Sequence, residues 1–165
     1  MWPQILLLSA LLLVLSFGLV LLRGAPYLPT MRRQVNNIFE LAELKEGSTI
    51  IELGCGDGRI LMAAAKSGIK AVGYELNPLL YLFCLIRTRR FKDRIRVVYG
   101  DFWQKSWPGA DAIYVFLLPR LMNKLERKIR AEGLERAKVI SFAFRFSNLA
   151  PVKHKEGVYL YRFKA

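Results

Sequence analysis

Ser48-Thr49-Ile50-Ile51-Glu52-Leu53-Gly54-Cys55-Gly56-Asp57-Gly58-Arg59-Ile60-Leu61 is the stretch that decides the fold. It opens as a short apolar run with β-branched residues, the pattern of a buried strand. Three glycines in alternate positions break it, and the chain resumes as a helix predicted over Arg59 to Lys66, stopped by Ser67-Gly68. Strand, glycine turn and helix make the first half of a βαβ unit. The glycines admit backbone angles closed to other residues and let a ligand approach the main chain. The ligand is therefore expected at the carboxyl end of this strand.

The chemistry of the turn narrows the ligand. A dinucleotide fingerprint reads G-x-G-x-x-G and seats a pyrophosphate on the helix amino terminus. Here the spacing is G-x-G-x-G, with carboxylates at Glu52 and Asp57. Two acids repel a pyrophosphate and suit a cation. S-adenosylmethionine has a sulfonium, an amino group and a ribose but no phosphate, and fits this turn better than NAD. Taken alone, the glycines also fit an ordinary tight βα turn, so the rest of the chain must decide.

The 165 residues suit one domain of ordinary size once an apolar amino-terminal stretch is set aside. Lys and Arg number 26 against 13 Asp and Glu, a formal charge of +13. That excess implies a polyanionic neighbour: nucleic acid, anionic headgroups or an acidic protein face. Cys55 in the turn and Cys84 in an apolar helix do not read as a disulfide pair, so a reducing compartment is inferred. His154 is the one histidine, and without a His/Cys cluster no metal is expected.

Residues 5–22 are almost wholly apolar and uncharged. At about 1.5 Å per residue they just span a hydrocarbon core of roughly 30 Å, helped by Trp2. A cleaved signal peptide would want a basic start and a small-residue cleavage site; Met1-Trp2-Pro3-Gln4 has no basic side chain and Arg23 occupies the cleavage region. A buried soluble helix would show a polar stripe. The expectation is an uncleaved anchor in the bilayer, a single-pass membrane protein. Arg23, Arg32 and Arg33 place the domain that follows on the cytoplasmic, reducing side.

Gly24 to Thr30 is a rigid connector with two prolines, and Thr30 is placed to cap a helix over Met31 to Leu44. Lys70 to Glu75 reads as a second strand whose closing acid, Glu75, is placed to accept from both ribose hydroxyls. Asn77-Pro78 then caps and starts a helix rich in Leu, Tyr and Phe, read as core packing. A third strand, Arg94 to Tyr99, leads to Gly100-Asp101-Phe102-Trp103. There Asp101 is placed to accept from the adenine amine and Phe102 to lie against the ring, with a turn cap as the competing reading of Asp101. A fourth strand is expected at Ala110–Leu117, a basic helix at Arg120–Arg130, a fifth strand at Lys138–Phe144, and a hairpin around Glu156-Gly157. The expected order is β-α-β-α-β-α-β-α-β-β-β. The fold class is α/β: a Rossmann-like, doubly wound, mostly parallel seven-stranded sheet with a terminal antiparallel hairpin, preceded by one transmembrane helix.

The acid and glycines of residues 52–58, Glu75 at the second strand end and Gly100-Asp101 at the third resemble a seven-strand S-adenosylmethionine-dependent methyltransferase. Pro26-Tyr27-Leu28-Pro29-Thr30, Leu53 to Ile60, Gly73 to Pro78, Gly100 to Trp103 and Val115 to Pro119 together resemble one family in the same order. That family contains the lysine methyltransferases of the ATP synthase c-subunit and of the adenine nucleotide translocase. The residues themselves divide the chain into an expected anchor over 1–24, a connector and helix over 25–47, and a methyltransferase domain over 48–165, and the likeness runs from about Pro26 to the end. It implies S-adenosyl-L-methionine as cofactor, held by Glu52, Gly54, Cys55, Gly56, Asp57, Gly58, Glu75, Leu76, Asp101 and Phe102. Tyr27, Thr30, Tyr114 and Phe116 are the acceptor-side candidates, and no general base is assigned. Glu52 stands where Asp is commoner in the family, a conservative departure.

The implied reaction is methyl transfer to a lysine of a membrane protein, driven largely by positioning and desolvation. Nucleic acid is a disfavoured acceptor: Phe116-Leu117-Leu118-Pro119 is not the Asn/Asp-Pro-Pro-Tyr motif of base methyltransferases. A lipid or quinone acceptor suits the membrane equally well. A tethered binding module without catalysis is the non-enzymatic alternative.

Overall fold

The computed structural model describes residues 2–8, 11, 18 and 29–163. Helix α1 (Arg32–Ala42) leads into strand β1 (Thr49–Leu53), helix α2 (Arg59–Lys66) and strand β2 (Lys70–Glu75). Helix α3 (Pro78–Thr88) follows, with a 3-10 turn at Arg89–Phe91, then strands β3 (Ile95–Tyr99) and β4 (Ala112–Val115). Helix α4 (Pro119–Ala131) precedes strands β5 (Lys138–Phe142), β6 (Lys153–Lys155) and β7 (Val158–Arg162). The strands form one sheet in the order β3-β2-β1-β4-β5-β7-β6. β1 to β5 run parallel, and β7 enters antiparallel between β5 and β6. The order reverses at β1, so the carboxyl ends of β1 and β4 open a crevice for a ligand.

The strand period of two sends alternate side chains into two cores. Ile50, Ala112, Tyr114 and Ile140 join Ile38 of α1, Leu61 and Ala64 of α2 and Cys84 of α3 on one face. Ile51, Ile113, Val115 and Val139 join Met122, Leu125 and Ile129 of α4 on the other. Helices thus cover both faces, as the βα alternation requires.

Several expectations are corrected. β3 and β4 are joined by turns without the expected helix. The indole of Trp107, only 6% exposed, fills that side of the second core and donates to the Phe102 carbonyl at 3.0 Å. β5 stops at Phe142 because Ala143 turns left-handed (φ 64°) and the Ser141 hydroxyl bonds back to the Phe144 carbonyl. Thr30 does not cap α1; Met31 holds the cap position without a side-chain bond. Asn77 does cap α3, its side chain accepting from the amides of Leu79 and Leu80.

The largest correction concerns α3. Its buried residues are Cys84 and Thr88, while Leu79, Leu82, Phe83, Leu85 and Ile86 are exposed. The apolar side chains face away from the core because the inner face needs small groups against the glycine turn.

At the amino terminus, residues 2–8 are helical and exposed. Among the described residues no helix is long and apolar enough to cross a membrane. Most of the 5–22 anchor expectation lies outside the described residues.

Candidate functional site

The glycine turn is built on left-handed backbone. Gly54, Gly56 and Gly58 have φ of 88°, 52° and 74°, a region that side chains other than hydrogen rarely adopt. The amides of Gly54 and Cys55 both donate to the Tyr74 carbonyl, at 3.0 and 2.9 Å, fastening the turn to the end of β2. A side chain at Gly54 would meet nothing within 4 Å, so that position opens on the crevice. A Cβ on Gly58 would lie 2.6 Å from Cys84 Sγ and 3.0 Å from Thr88 Cγ2. The third glycine therefore exists for helix packing.

Three carboxylates surround the turn, and all are at most 5% exposed. Glu75 accepts from the Gly56 amide and from the Asn77 amide, both at 2.8 Å. It braces the turn against the start of α3. Burial pushes its carboxyl up, opposed by the backbone donors. Asp57 is turned to the side. It bonds Arg59 at 2.8 and 3.0 Å and pairs with Arg87 as well. Burial raises its carboxyl, but the two guanidinia outweigh burial and hold it below the usual range. Glu52 is the acid left over. Its Oε2 is buried without a hydrogen-bond partner among the described residues. Burial, with the Asp57 and Glu75 charges nearby, pushes its carboxyl well above the usual range. The two acids expected to face a cation are thus one, Glu52, with Asp57 neutralised beside it.

Tyr114 pairs with Glu52 in register on the neighbouring strand, so its ring shares that face of the sheet. Its hydroxyl lies 3.1 Å from Thr30 Oγ1, and burial pushes its ionisation far upward, keeping it protonated. Thr30 is 8% exposed and its carbonyl accepts from Arg59 at 2.6 Å. Thr30, just before α1, is thereby tied to Tyr114 and to Arg59 of the turn. Phe116, just beyond β4, stacks on Phe144 at 5.7 Å and tilts against Phe142 at 5.5 Å. Tyr27 lies outside the described residues.

Asp101 takes the Trp103 amide at 2.9 Å, so the turn-cap role is realised for one oxygen. Phe102 is half-buried against Trp103 and Trp107, and Leu76 is half-exposed after β2. Cys55 is buried as a free thiol 3.8 Å from the free thiol of Cys84. The bond to Cys84, and then burial, push the Cys55 thiol up and disfavour its thiolate form. Sequence reasoning missed Arg59 and Arg87 as partners of Asp57, and Cys84 as the floor of the turn. For Arg59 a signal existed, two positions after Asp57; Arg87 and Cys84 meet the turn only through the tertiary fold.

This arrangement fits a cationic small molecule. Glu52, at the carboxyl end of β1 beside the glycine turn, has one buried carboxylate oxygen without a partner among the described residues, and the guanidinia of Arg59 and Arg87 pair with Asp57. Among the described residues no group of three or more His, Cys, Asp or Glu is placed to hold a metal ion.

Comparison with known proteins agrees. The family model described as the ANTKMT methyltransferase domain matches residues 52–153. The lysine N-methyltransferase of the ATP synthase c-subunit from Xenopus laevis is 37% identical over 128 residues, which cover 76% of this chain and 56% of that protein. The adenine nucleotide translocase lysine N-methyltransferase of Mus musculus is 37% identical over 147 residues, covering 87% and 64%. The chain thus spans less than two thirds of either relative. A solved RNA methyltransferase from Salinibacter ruber, in complex with S-adenosyl-L-homocysteine, superposes with TM-score 0.68 and 28% identity over 82% of this chain and 92% of that one. With more than half its length matched by the family model, and these relatives beside it, the chain belongs to the ANTKMT methyltransferase-domain family.

Proposed function

We propose that this protein is a membrane-anchored, S-adenosylmethionine-dependent methyltransferase that modifies a lysine side chain of a membrane protein. Glu52 is the observation that carries the reading: a buried carboxylate with one unpartnered oxygen beside a glycine turn favours its protonated form or a cation. The lysine acceptor is supported by the two curated relatives, both named as lysine N-methyltransferases. The anchor is supported by the apolar run at 5–22, and Arg23, Arg32 and Arg33 support a catalytic domain on the cytoplasmic side.

S-adenosylmethionine supplies, when bound, an electrophilic methyl group. The chain's own residues supply the setting. Gly54 leaves room for the ligand's approach, Glu52 receives positive charge, and Glu75 holds the turn while keeping acceptor capacity for hydroxyls. Tyr114 stays protonated and is tied to Thr30. The lysine must arrive as a neutral amine, and a water-poor pocket favours that form. The aromatic surface of Phe116 and Phe144 excludes water and suits a methylated ammonium.

The test is labelled-methyl transfer from S-adenosylmethionine into native membranes, with mass spectrometry of the labelled material. Label on a protein lysine, reduced with Glu52→Gln, is expected. Label in RNA, the acceptor class of the Salinibacter relative, or in lipid would overturn the lysine assignment. Absence of cofactor binding by calorimetry would overturn the enzyme.

A further inference from the structure

Helix α3 carries an apolar stripe that is exposed among the described residues. Leu79, Leu82, Phe83 and Ile86 recur at the i, i+3, i+4, i+7 spacing of one helix face, and they are 47%, 54%, 49% and 63% exposed. The opposite face, Cys84 and Thr88, is the one that meets the glycine turn. Where the stripe ends, a cavity of about 380 Å³ lies between α2 and the end of α3, lined by Lys66, Arg87, Arg89 and Arg90 with Met62 and Ile86 among its apolar walls. Arg87 is held by Asp57. Among the described residues no carboxylate pairs with Lys66, Arg89 or Arg90. From 78 to 96 the chain has six cations and one acid, Asp93.

We propose that this face docks on an anionic lipid surface. Leu79, Leu82, Phe83 and Ile86 enter the acyl boundary, and Lys66, Arg89 and Arg90 take headgroup phosphates. An apolar helix face edged by arginine is the composition of a helix that lies in a membrane interface. Charge decides the occupant. A second copy of this chain, related by a two-fold axis, would set the same cations against one another, whereas an anionic leaflet complements them. The exposed apolar residues at the amino terminus, Trp2 at 79% and Leu7 at 73%, suit the same neighbour. The proposal rests on the membrane part of the function proposed above, but α3 is a separate contact from the 5–22 anchor.

Spin labels on the full chain in nanodiscs test it. Leu82→Cys places a label on the stripe and Asn123→Cys an aqueous control on α4; native Cys55 and Cys84 are buried and stay unlabelled. In phosphatidylglycerol-rich discs, the label at 82 should collide with dissolved oxygen and the label at 123 with a water-soluble nickel chelate. Replacing both Arg89 and Arg90 by Gln should lower the ratio of immersed to aqueous label at 82 about 25-fold, at roughly fivefold per headgroup-facing cation. A label at 82 that stays aqueous in these discs overturns the proposal and gives the face to a protein partner. Equal immersion in pure phosphatidylcholine overturns the headgroup assignment. Carbonate extraction reports on the anchor separately: a chain that resists extraction with position 82 aqueous keeps its anchor and loses this docking face. A chain stripped by carbonate but immersed at 82 in neutral buffer has the docking face without the anchor. Calorimetry with S-adenosylmethionine reads the enzyme independently of both.

Discussion

Gly58→Ala isolates what the third glycine does. Its φ of 74° costs an alanine roughly 1–2 kcal/mol. The new Cβ would also sit 2.6 Å from Cys84 Sγ and 3.0 Å from Thr88 Cγ2, an overpacking of about 1–3 kcal/mol. The stiffer unfolded chain returns about 0.4–1 kcal/mol. The net loss is about 1–4.5 kcal/mol, a fall in Tm of roughly 3–14 °C for a chain of this size. Cys84→Ala removes Sγ and leaves Cβ at an ordinary 3.9 Å. In that background Gly58→Ala should cost only about 1–2 kcal/mol, the backbone strain with a residual contact at Thr88. The four proteins form a double-mutant cycle, read from urea midpoints at constant m-value. Coupling of about 1–2 kcal/mol is expected. Additivity within about 0.5 kcal/mol would refute the packing of α3 on the turn. Gly54→Ala is the contrast: φ is 88° but the Cβ meets open space, so it should cost strain alone and weaken ligand binding through the methyl in the crevice.

Glu52→Gln should stabilise the ligand-free protein at neutral pH. Because the folded carboxyl is raised, the native state holds the extra proton, and wild-type stability falls as pH rises from the unfolded range near about 4.3 through the higher folded value. The variant removes that slope, seen in melts across pH, while calorimetry should show cofactor affinity reduced about 10- to 100-fold for a lost charged contact. Asp57→Asn works in the opposite sense. The folded carboxyl is lowered, so its stabilisation is present above about 3.9 and lost as pH falls through the folded value; the variant should flatten the acid limb of wild-type urea midpoints. At neutral pH it should cost about 1–3 kcal/mol, less than a fully buried pair because both guanidinia are about one-third exposed. Tyr114→Phe removes the bond to Thr30 and should cost about 1 kcal/mol, with faster amide exchange over 30–33.

The parallel sheet was legible because its strands are short β-branched runs separated by helices of clear period, and the turn was legible because its glycines alternate. Glu75 at the tip of β2 and the Asn77-Pro78 start of α3 follow from strand and cap chemistry that acts over two or three residues. What sequence could not carry was orientation. The period of Leu79, Leu82, Phe83 and Ile86 identifies a face but not the side that touches the sheet. Two small residues, Cys84 and Thr88, take that side because Gly58 admits them closely. The absent helix between β3 and β4 was hidden for a similar reason: a single indole, Trp107, occupies the space a helix would cover. The pairing of Thr30 with Tyr114 joins positions 84 apart, beyond any local rule.

The three acids at the turn show how one residue type divides into three roles by surroundings alone. Asp57 has two guanidinia, so its charge is satisfied by the protein and it serves the fold. Glu75 accepts from the Gly56 and Asn77 amides, so it fastens the turn to the start of α3. Glu52 has an oxygen with no partner, in the same buried shell. A fold selected only for stability would replace it, because glutamine or an apolar residue removes an unsatisfied buried acid at small cost in volume. Its placement beside Tyr114 and opposite Gly73, at the strand tip where the crevice opens, makes sense if the missing partner arrives from outside. The destabilisation of the free protein and the affinity for a cation then both arise at Glu52, and Glu52→Gln is expected to change both. A variant that gained stability at neutral pH while keeping full cofactor affinity would separate them and remove Glu52 from the binding site.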